Sequence, residues 1–422
     1  MTASAAPSRR LPVVLRNRAF GSVWAAQVLT QAAGRMFQVG VVWWLVGYAA
    51  GADRGLASGA FLAVSTLPAV ALAPLVASLI ARCPRRAVLG GAAAAAGLVA
   101  AGTAGWSYAT ALPMGVAYAA ALLLAGCQAA FDPCLTTSVS ELVEDRDIEE
   151  ATGFELATQS LAGLAGGLLG PLVIDSWGLA GMVAGCAGAY LAAAALVGAT
   201  RFPRAATGPA EQAAARRTLR QILADLPFVR RILLCFAAAN LFTTAVFVVM
   251  PLYTRSVLHA DGSTVAALEA ALGLGTLVGS FTGPRLPGRP TAVGAGCLAL
   301  MAAALGLPGL LPAQAAAVGA LAVAGWCVGV IGVRFVALFQ RLVPSGDRPG
   351  FFAVMQALLG ATFPLSSLVF GVLGDLLSPR TLCLVQAVGL VPVAVALWWL
   401  GRGRYAAAPD ADADAVPAGA GR

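Results

Sequence analysis

The chain has 422 residues, of which 59% are hydrophobic and 11% charged, and its mean hydropathy is +0.83. Soluble domains carry about 45–50% apolar and about 25% charged residues, so the composition excludes a soluble globular protein and predicts an all-α integral membrane chain. The formal charge of +8 rests on 27 basic residues, every one an arginine.

A membrane-spanning helix needs about 20 consecutive apolar residues. Such windows lie at 20–48, 57–80, 87–106, 112–138, 152–174 and 178–199, and again at 230–254, 264–284, 291–311, 314–340, 350–376 and 381–400. They predict twelve transmembrane helices in two pseudo-symmetric six-helix bundles, over 1–200 and 230–404. The first window is too long for a signal peptide, whose apolar core spans about 7–15 residues, and it is kept as a span. The polar stretch 201–229 is expected to be a cytoplasmic linker with a short amphipathic helix. The tail 405–422 is low in complexity and is expected to be disordered.

Arginine placement gives the topology. With the N-terminus inside, 22 of the 27 fall on the cytoplasmic side; Arg54, Arg255 and Arg380 fall outside, and Arg35 and Arg334 lie within spans. Both termini are therefore expected in the cytoplasm. The basic excess expresses the positive-inside rule, and nucleic acid is excluded as a partner.

Within the spans the polar residues are few and patterned. Span 1 carries Gln27, Gln31, Arg35 and Gln38 at spacings of four, four and three, which puts them on one helix face. A guanidinium inside a membrane helix is costly and normally faces the bundle interior or a wet cavity. Span 4 adds Gln128 and Asp132, span 7 adds Asn240, Thr243 and Thr244, and span 10 adds Arg334, whereas spans 3, 6 and 9 have no charged residue. A period of three matches six-helix units built from three-helix repeats, with a substrate site near the midplane. The expected substrate cavity is therefore Gln27, Gln31, Arg35, Gln38, Gln128, Asn240 and Arg334. A purely bracing role for Arg35, or a chance scatter of polar residues, remains the alternative.

Other chemistry is poorly represented. The eight cysteines, Cys83, Cys127, Cys134, Cys186, Cys235, Cys297, Cys327 and Cys383, form no CxxC pair, and His259 is the single histidine. The cysteines read as small apolar packers, and no metal or cofactor is expected. There is no histidine pair, nucleophile motif or GxxxxGK[ST] phosphate loop, so an enzyme is not expected.

The segments Leu15 to Val46, PLVASLIARCPRRAVL (Pro74 to Leu89), GLAGGLLGP (Gly163 to Pro171) and VMPLYTRSVL (Val249 to Leu258) together resemble the major facilitator superfamily, and within it the drug and macrolide efflux branch. The resemblance covers nearly the whole chain and implies the major facilitator fold in a bacterial cytoplasmic membrane, working as a monomer. Pro74 to Leu89 is similar to the family's loop motif between helices 2 and 3, with Leu79, Arg82, Arg85 and Arg86 matching and Ala77 and Ala81 standing where the family has glycine and aspartate. The resemblance implies a cytoplasmic gate of Arg82, Arg85 and Arg86 with Asp132 as partner; plain topology determination by the arginines is the alternative. Gly163, Gly166, Gly170 and Pro171 resemble the helix 5 antiporter motif, whose later glycine pair falls here on Ile174 and Asp175.

Many relatives have an aspartate just before the helix 1 arginine, where this chain has Gly34. Arginine stays protonated and cannot carry a coupling proton. Of the carboxylates in or beside spans, Asp132, Glu155, Glu269 and Asp375, Glu269 lies about two turns into span 8 at a rise of 1.5 Å per residue and is the proton-coupling candidate. Arg35, with no adjacent acid, reads as a substrate-facing charge unless an acid from another helix reaches it. The expected function is a proton-coupled secondary exporter of a small amphipathic molecule, such as a drug, antibiotic or secondary metabolite, by alternating access. An importer of a small solute, or a non-transporting receptor or scaffold on the same fold, stands beside it.

Overall fold

The computed structural model describes residues 13–49, 51, 53–143, 148–200, 227–343 and 348–402. A single helical turn, Val13–Arg16, leads into α1, Arg18–Trp44. Asn17 caps α1: its side chain accepts from the Phe20 amide at 3.1 Å, and its amide donates to the Leu142 carbonyl at 2.7 Å. A π turn, Leu45–Ala49, ends the span. α2 comes in two stretches, Arg54–Ala71 and Ala73–Arg82, with Pro68 inside the first and a proline in the first turn of the second. α3 is Arg85–Ala109 and α4 is Met114–Leu142. The run Ile148–Ala199 holds both α5 and α6, which part at Gly178, where φ is +69°; that left-handed backbone is open to glycine at little cost.

α7 is also broken, into Pro227–Thr243 and Val246–Ser256. α8 is Gly262–Thr282, α9 is Pro290–Leu310, α10 is Gln314–Leu342, α11 is Arg348–Leu376 and α12 is Pro379–Arg402. Each expected span thus meets a helix or a helix pair, and no strand occurs among the described residues. Nine of the described helices are long and apolar enough to cross a membrane. The count stays below twelve because α1 carries the polar stripe, α2 is interrupted, and α5 with α6 form one continuous run. Most of the linker, 201–226, and the tail lie outside the described residues; residues 227–229 already belong to α7. Residues 144–147, between α4 and the run that begins at Ile148, also lie outside them.

The chain divides into two compact units. One comprises residues up to 212 together with 250–270 and 367–376, and the other comprises 213–249, 271–366 and the residues from 377 onward. The first has a core in which Phe20, Val23 and Ala26 of α1 meet Val88 and Leu89 of α3, Phe131 and Cys134 of α4, and Ala193 and Val197 of α6. With lipid outside as apolar as the side chains themselves, close backbone approach rather than hydrophobic exclusion holds membrane helices together. The α5 motif supplies that approach. A Cβ on Gly166 would stand 2.5 Å from the Ala32 carbonyl oxygen, and one on Gly170 would stand 2.7 Å from that of Met36. Gly163, by contrast, faces open space.

In the second unit the same device joins α8 to α10. Gly275 and Gly279 press on Ala322 and Trp326, while Gly325 and Gly329 press on Leu272 and Thr276, so the crossing has no room for a Cβ from either side. Trp326 Nε1 donates to Thr282 Oγ1 at 2.9 Å and ties the crossing off. Gly279→Leu is expected to lower stability by about 1–3 kcal/mol through overpacking, whereas Gly319→Leu, at an exposed position with nothing near its missing side chain, leaves it unchanged. Thermal unfolding of the two purified variants in detergent compares them directly.

Candidate functional site

The α1 stripe is split by its surroundings. Gln27 is buried, at 2% exposure, while Gln31, Arg35 and Gln38 are half-buried. Gln31 Nε2 and Gln128 Nε2 both donate to Asp132 Oδ1, at 3.4 and 2.6 Å. Gly34 lies beside this group: a Cβ there would be 3.2 Å from the Tyr190 hydroxyl and 3.9 Å from Gln128 Oε1. An acidic side chain at Gly34 would press into the buried Tyr190, which gives the missing acid a steric correlate. Asp132 therefore stands with the two glutamines. Of its expected gate partners, Arg85 donates from Nη1 to the Ile80 carbonyl at 2.9 Å, Arg86 donates to the Gly198 carbonyl, and Arg82 is exposed at the end of α2.

Arg35 is reached by an acid from another helix. Its Nη2 lies 3.2 Å from Glu269 Oε2 of α8, with the side chains 24% and 19% exposed. Its Nη1 donates to Gln38 Oε1 at 2.9 Å, and Gln38 Nε2 donates to Ser65 Oγ of α2 at 3.3 Å. α5 shapes the place of contact: a Cβ on Gly167 would stand 3.3 Å from Glu269 Oε2. Residues of four helices thus converge on one ion pair, all of these residues in the first compact unit. The substrate-facing reading of Arg35 was conditional on no such acid, and the condition does not hold.

Two further carboxylates of this unit engage backbone and side-chain donors at helix ends. Asp175 Oδ1 accepts from Trp43 Nε1 at 2.8 Å and from the Tyr48 hydroxyl at 3.1 Å, and its Oδ2 accepts from the Gly262 amide at 2.5 Å. Asp375 takes the Gly55 amide at 2.7 Å and the Leu56 amide at 2.8 Å, at the N-terminus of α2, where free amides and the helix dipole favour a negative charge. Gly55 and Gly59 press against Ser367 and Gly371 beside it. Arg255 lies over Tyr48, 5.5 Å from the ring centre, and its Nη2 reaches the Gly47 carbonyl at 3.4 Å. At the start of α8, the Ser263 hydroxyl donates to Asp261, just before the helix, at 2.5 Å and holds that carboxyl below its ordinary range.

The second unit contains a pocket of about 260 Å³. Phe236, Met301, Phe335, Phe339 and Met355 form its apolar wall, and Asn240, Thr243 and Gln356 supply the polar atoms. The aromatic wall is ordered: Phe236 and Phe335 meet edge to face at 4.5 Å, and Phe339 packs on Phe351 at 5.2 Å. Asn240 is anchored by donating to the Leu359 carbonyl at 3.0 Å and to Thr362 Oγ1 at 2.5 Å. Arg334 follows a different path, with Nη2 donating at 2.6 Å to the Gly288 carbonyl in the turn before α9. The phenylalanines and methionines escaped the sequence reading because an apolar residue on an apolar helix gives no signal of which way it points. The spacing of Phe335 and Phe339, four residues apart beside Arg334, was the available hint.

The sequence profile described as Major Facilitator Superfamily matches residues 23–333. No curated protein matches the sequence. Among solved structures, a bacterial homologue of the human lysosomal transporter Spinster, inward-facing and occupied, is 13% identical with a TM-score of 0.71, over 91% of this chain and 96% of that one. The POT family transporter PepTSo is 9% identical with a TM-score of 0.69, over 92% and 98%. The nucleoside transporter NupG is 11% identical with a TM-score of 0.67, over 92% and 100%. At these identities the likeness is one of fold.

Asp375→Ala removes the carboxylate from the α2 N-terminus and is expected to cost about 0.5–2 kcal/mol, the range for loss of a helix cap. Asp375→Asn keeps an acceptor and is expected to restore at least half of that in the same thermal unfolding measurement.

Proposed function

Because the chain belongs to the Major Facilitator Superfamily, we propose that it is a proton-coupled secondary transporter that exports a small amphipathic molecule by alternating access. The observation that carries the coupling is the Arg35–Glu269 pair. A guanidinium cannot release its proton, whereas a carboxyl can take one up. When Glu269 is ionised, its attraction to Arg35 ties α8 to α1. When Glu269 takes up a proton that attraction is lost, so a proton biases a two-state contact. Gln38 accepts from Arg35 and Ser65 accepts from Gln38, which anchors the guanidinium beside Glu269.

The amphipathic character of the cargo is supported by the pocket chemistry. An aromatic and methionine wall with a few fixed polar atoms suits a molecule with an apolar body and a hydrogen-bonding edge. Methionine adapts its shape to varied ligands, in keeping with a drug, antibiotic or secondary metabolite rather than one rigid solute. The outward direction rests on the resemblance of the first and fifth helices to efflux proteins, and the arginine distribution supports cytoplasmic termini in a bacterial inner membrane.

Inside-out proteoliposomes with an imposed pH gradient and a panel of fluorescent amphipathic antibiotics test this reading. The native chain is expected to accumulate at least one of them, and a protonophore to collapse the accumulation. Glu269→Gln is expected to bring gradient-driven accumulation to background while leaving ligand binding in detergent within about threefold. Arg35→Ala is expected to abolish transport without loss of membrane insertion. Normal accumulation by Glu269→Gln would exclude Glu269 as the coupling group, and uptake only in right-side-out vesicles would make the chain an importer.

A further inference from the structure

The first unit carries an apolar groove of about 840 Å³ that the transport cycle described above does not use. Its walls come from α2, the start of α3 and the middle of α4, with Leu67, Leu72, Leu79, Leu122 and Leu123 among the lining residues. The groove opens sideways: Leu67, Leu79, Leu122 and Leu123 are each 42–54% exposed. Along α4 it runs from Leu122 to Ala130, about 12 Å at 1.5 Å per residue, close to the roughly 15 Å depth of one leaflet's hydrocarbon.

One end of the groove is charged. Cys83 and Ala87 line it, and Arg82, Arg85 and Arg86 flank those two residues in the chain. From residue 55 to residue 131 the charged residues of the sequence are Arg82, Arg85 and Arg86, and Asp132, just beyond the lining residue Ala130, accepts from Gln31 and Gln128. Arg82 and Arg86 are exposed, and Arg86 spends one guanidinium nitrogen on the Gly198 carbonyl. Guanidinium groups match phosphate geometry, and basic clusters between membrane helices recruit anionic lipid heads.

We propose that this groove is a binding site for an anionic phospholipid, with an acyl chain against α2 and α4 and the phosphate at Arg82 and Arg86. Neither part alone defines the ligand. An apolar trough would take any lipid tail, and an arginine cluster would take any anion. Their juxtaposition at one leaflet's depth selects a molecule with a long apolar chain and a negative head. The break in α2 near Leu72 follows Pro68, and both residues line the trough.

Full-length protein stripped of lipid in detergent and titrated with dioleoyl phosphatidylglycerol or dioleoyl phosphatidylcholine, read by native mass spectrometry, tests the site. The expected result is one tightly held phosphatidylglycerol per chain, preferred at least about tenfold over phosphatidylcholine. Arg82→Gln with Arg86→Gln is expected to weaken phosphatidylglycerol about 30-fold, taking about 1 kcal/mol per arginine near a lipid surface, and to leave phosphatidylcholine unchanged. Gly91→Phe fills the groove where a Cβ meets open space, and Gly126→Leu fills it where the nearest atom, on Leu72, is 3.6 Å away; each is expected to displace both lipids, and two variants guard against misfolding of one. Equal binding of the two lipids by the native chain would overturn the proposal. So would retention of phosphatidylglycerol by the folded, groove-filled variants, including the case in which they lose transport, which would make the groove a passage for cargo.

Discussion

A charge that cannot be given up, placed in a helix surrounded by hydrocarbon, has to be neutralised from another helix. Arg35 sets that condition, and the geometry around it follows. Glu269 supplies the opposite charge, Gln38 fixes one guanidinium nitrogen, and Ser65 fixes Gln38 in turn. The glycines of α5 belong to the same requirement. Gly166 and Gly170 let α5 lie against α1, and Gly167 leaves the space that the Glu269 carboxylate occupies. A motif that resembles an antiporter signature therefore has a local physical reason: side chains there would separate the helices that bring the acid to the arginine.

The helix ends obey a related rule. In a bilayer every backbone donor must find an acceptor inside the protein. Asp375 accepts two amides at the start of α2, and Asp175 accepts the amide that begins α8 together with an indole and a phenol. Asp175 stands where the resembled motif has glycine. The departure that weakened the motif as a sequence match has become a structural contact, so a mismatch in a pattern is not by itself a loss of role.

How much of this was legible in the sequence depends on whether a residue's surroundings are set locally. Span positions and the polar stripe of α1 were legible, because hydropathy and a 3.6-residue period are local properties. Glu269 was legible as a lone acid in its span, but its partner was not, since 234 residues separate it from Arg35. Asp132 was read with the arginines of the α2–α3 loop through the resembled motif, and its hydrogen bonds from Gln31 and Gln128 were not legible, because they depend on how α1 and α4 meet in the fold. The aromatic wall of the second unit was illegible for a different reason: phenylalanine in a membrane helix is at home facing lipid, core or pocket.

The ion pair also changes what the α1 stripe can do for a ligand. An arginine without a partner would draw an anionic cargo, but Arg35 already faces a carboxylate, and Asp132 stands one turn along the same wall with its glutamines. With Arg35 positive and Glu269 and Asp132 negative, that wall carries an excess of negative charge. A cargo acceptor would have to displace the Glu269 carboxylate from the guanidinium, so the ion pair opposes an anionic cargo where a lone arginine would attract it.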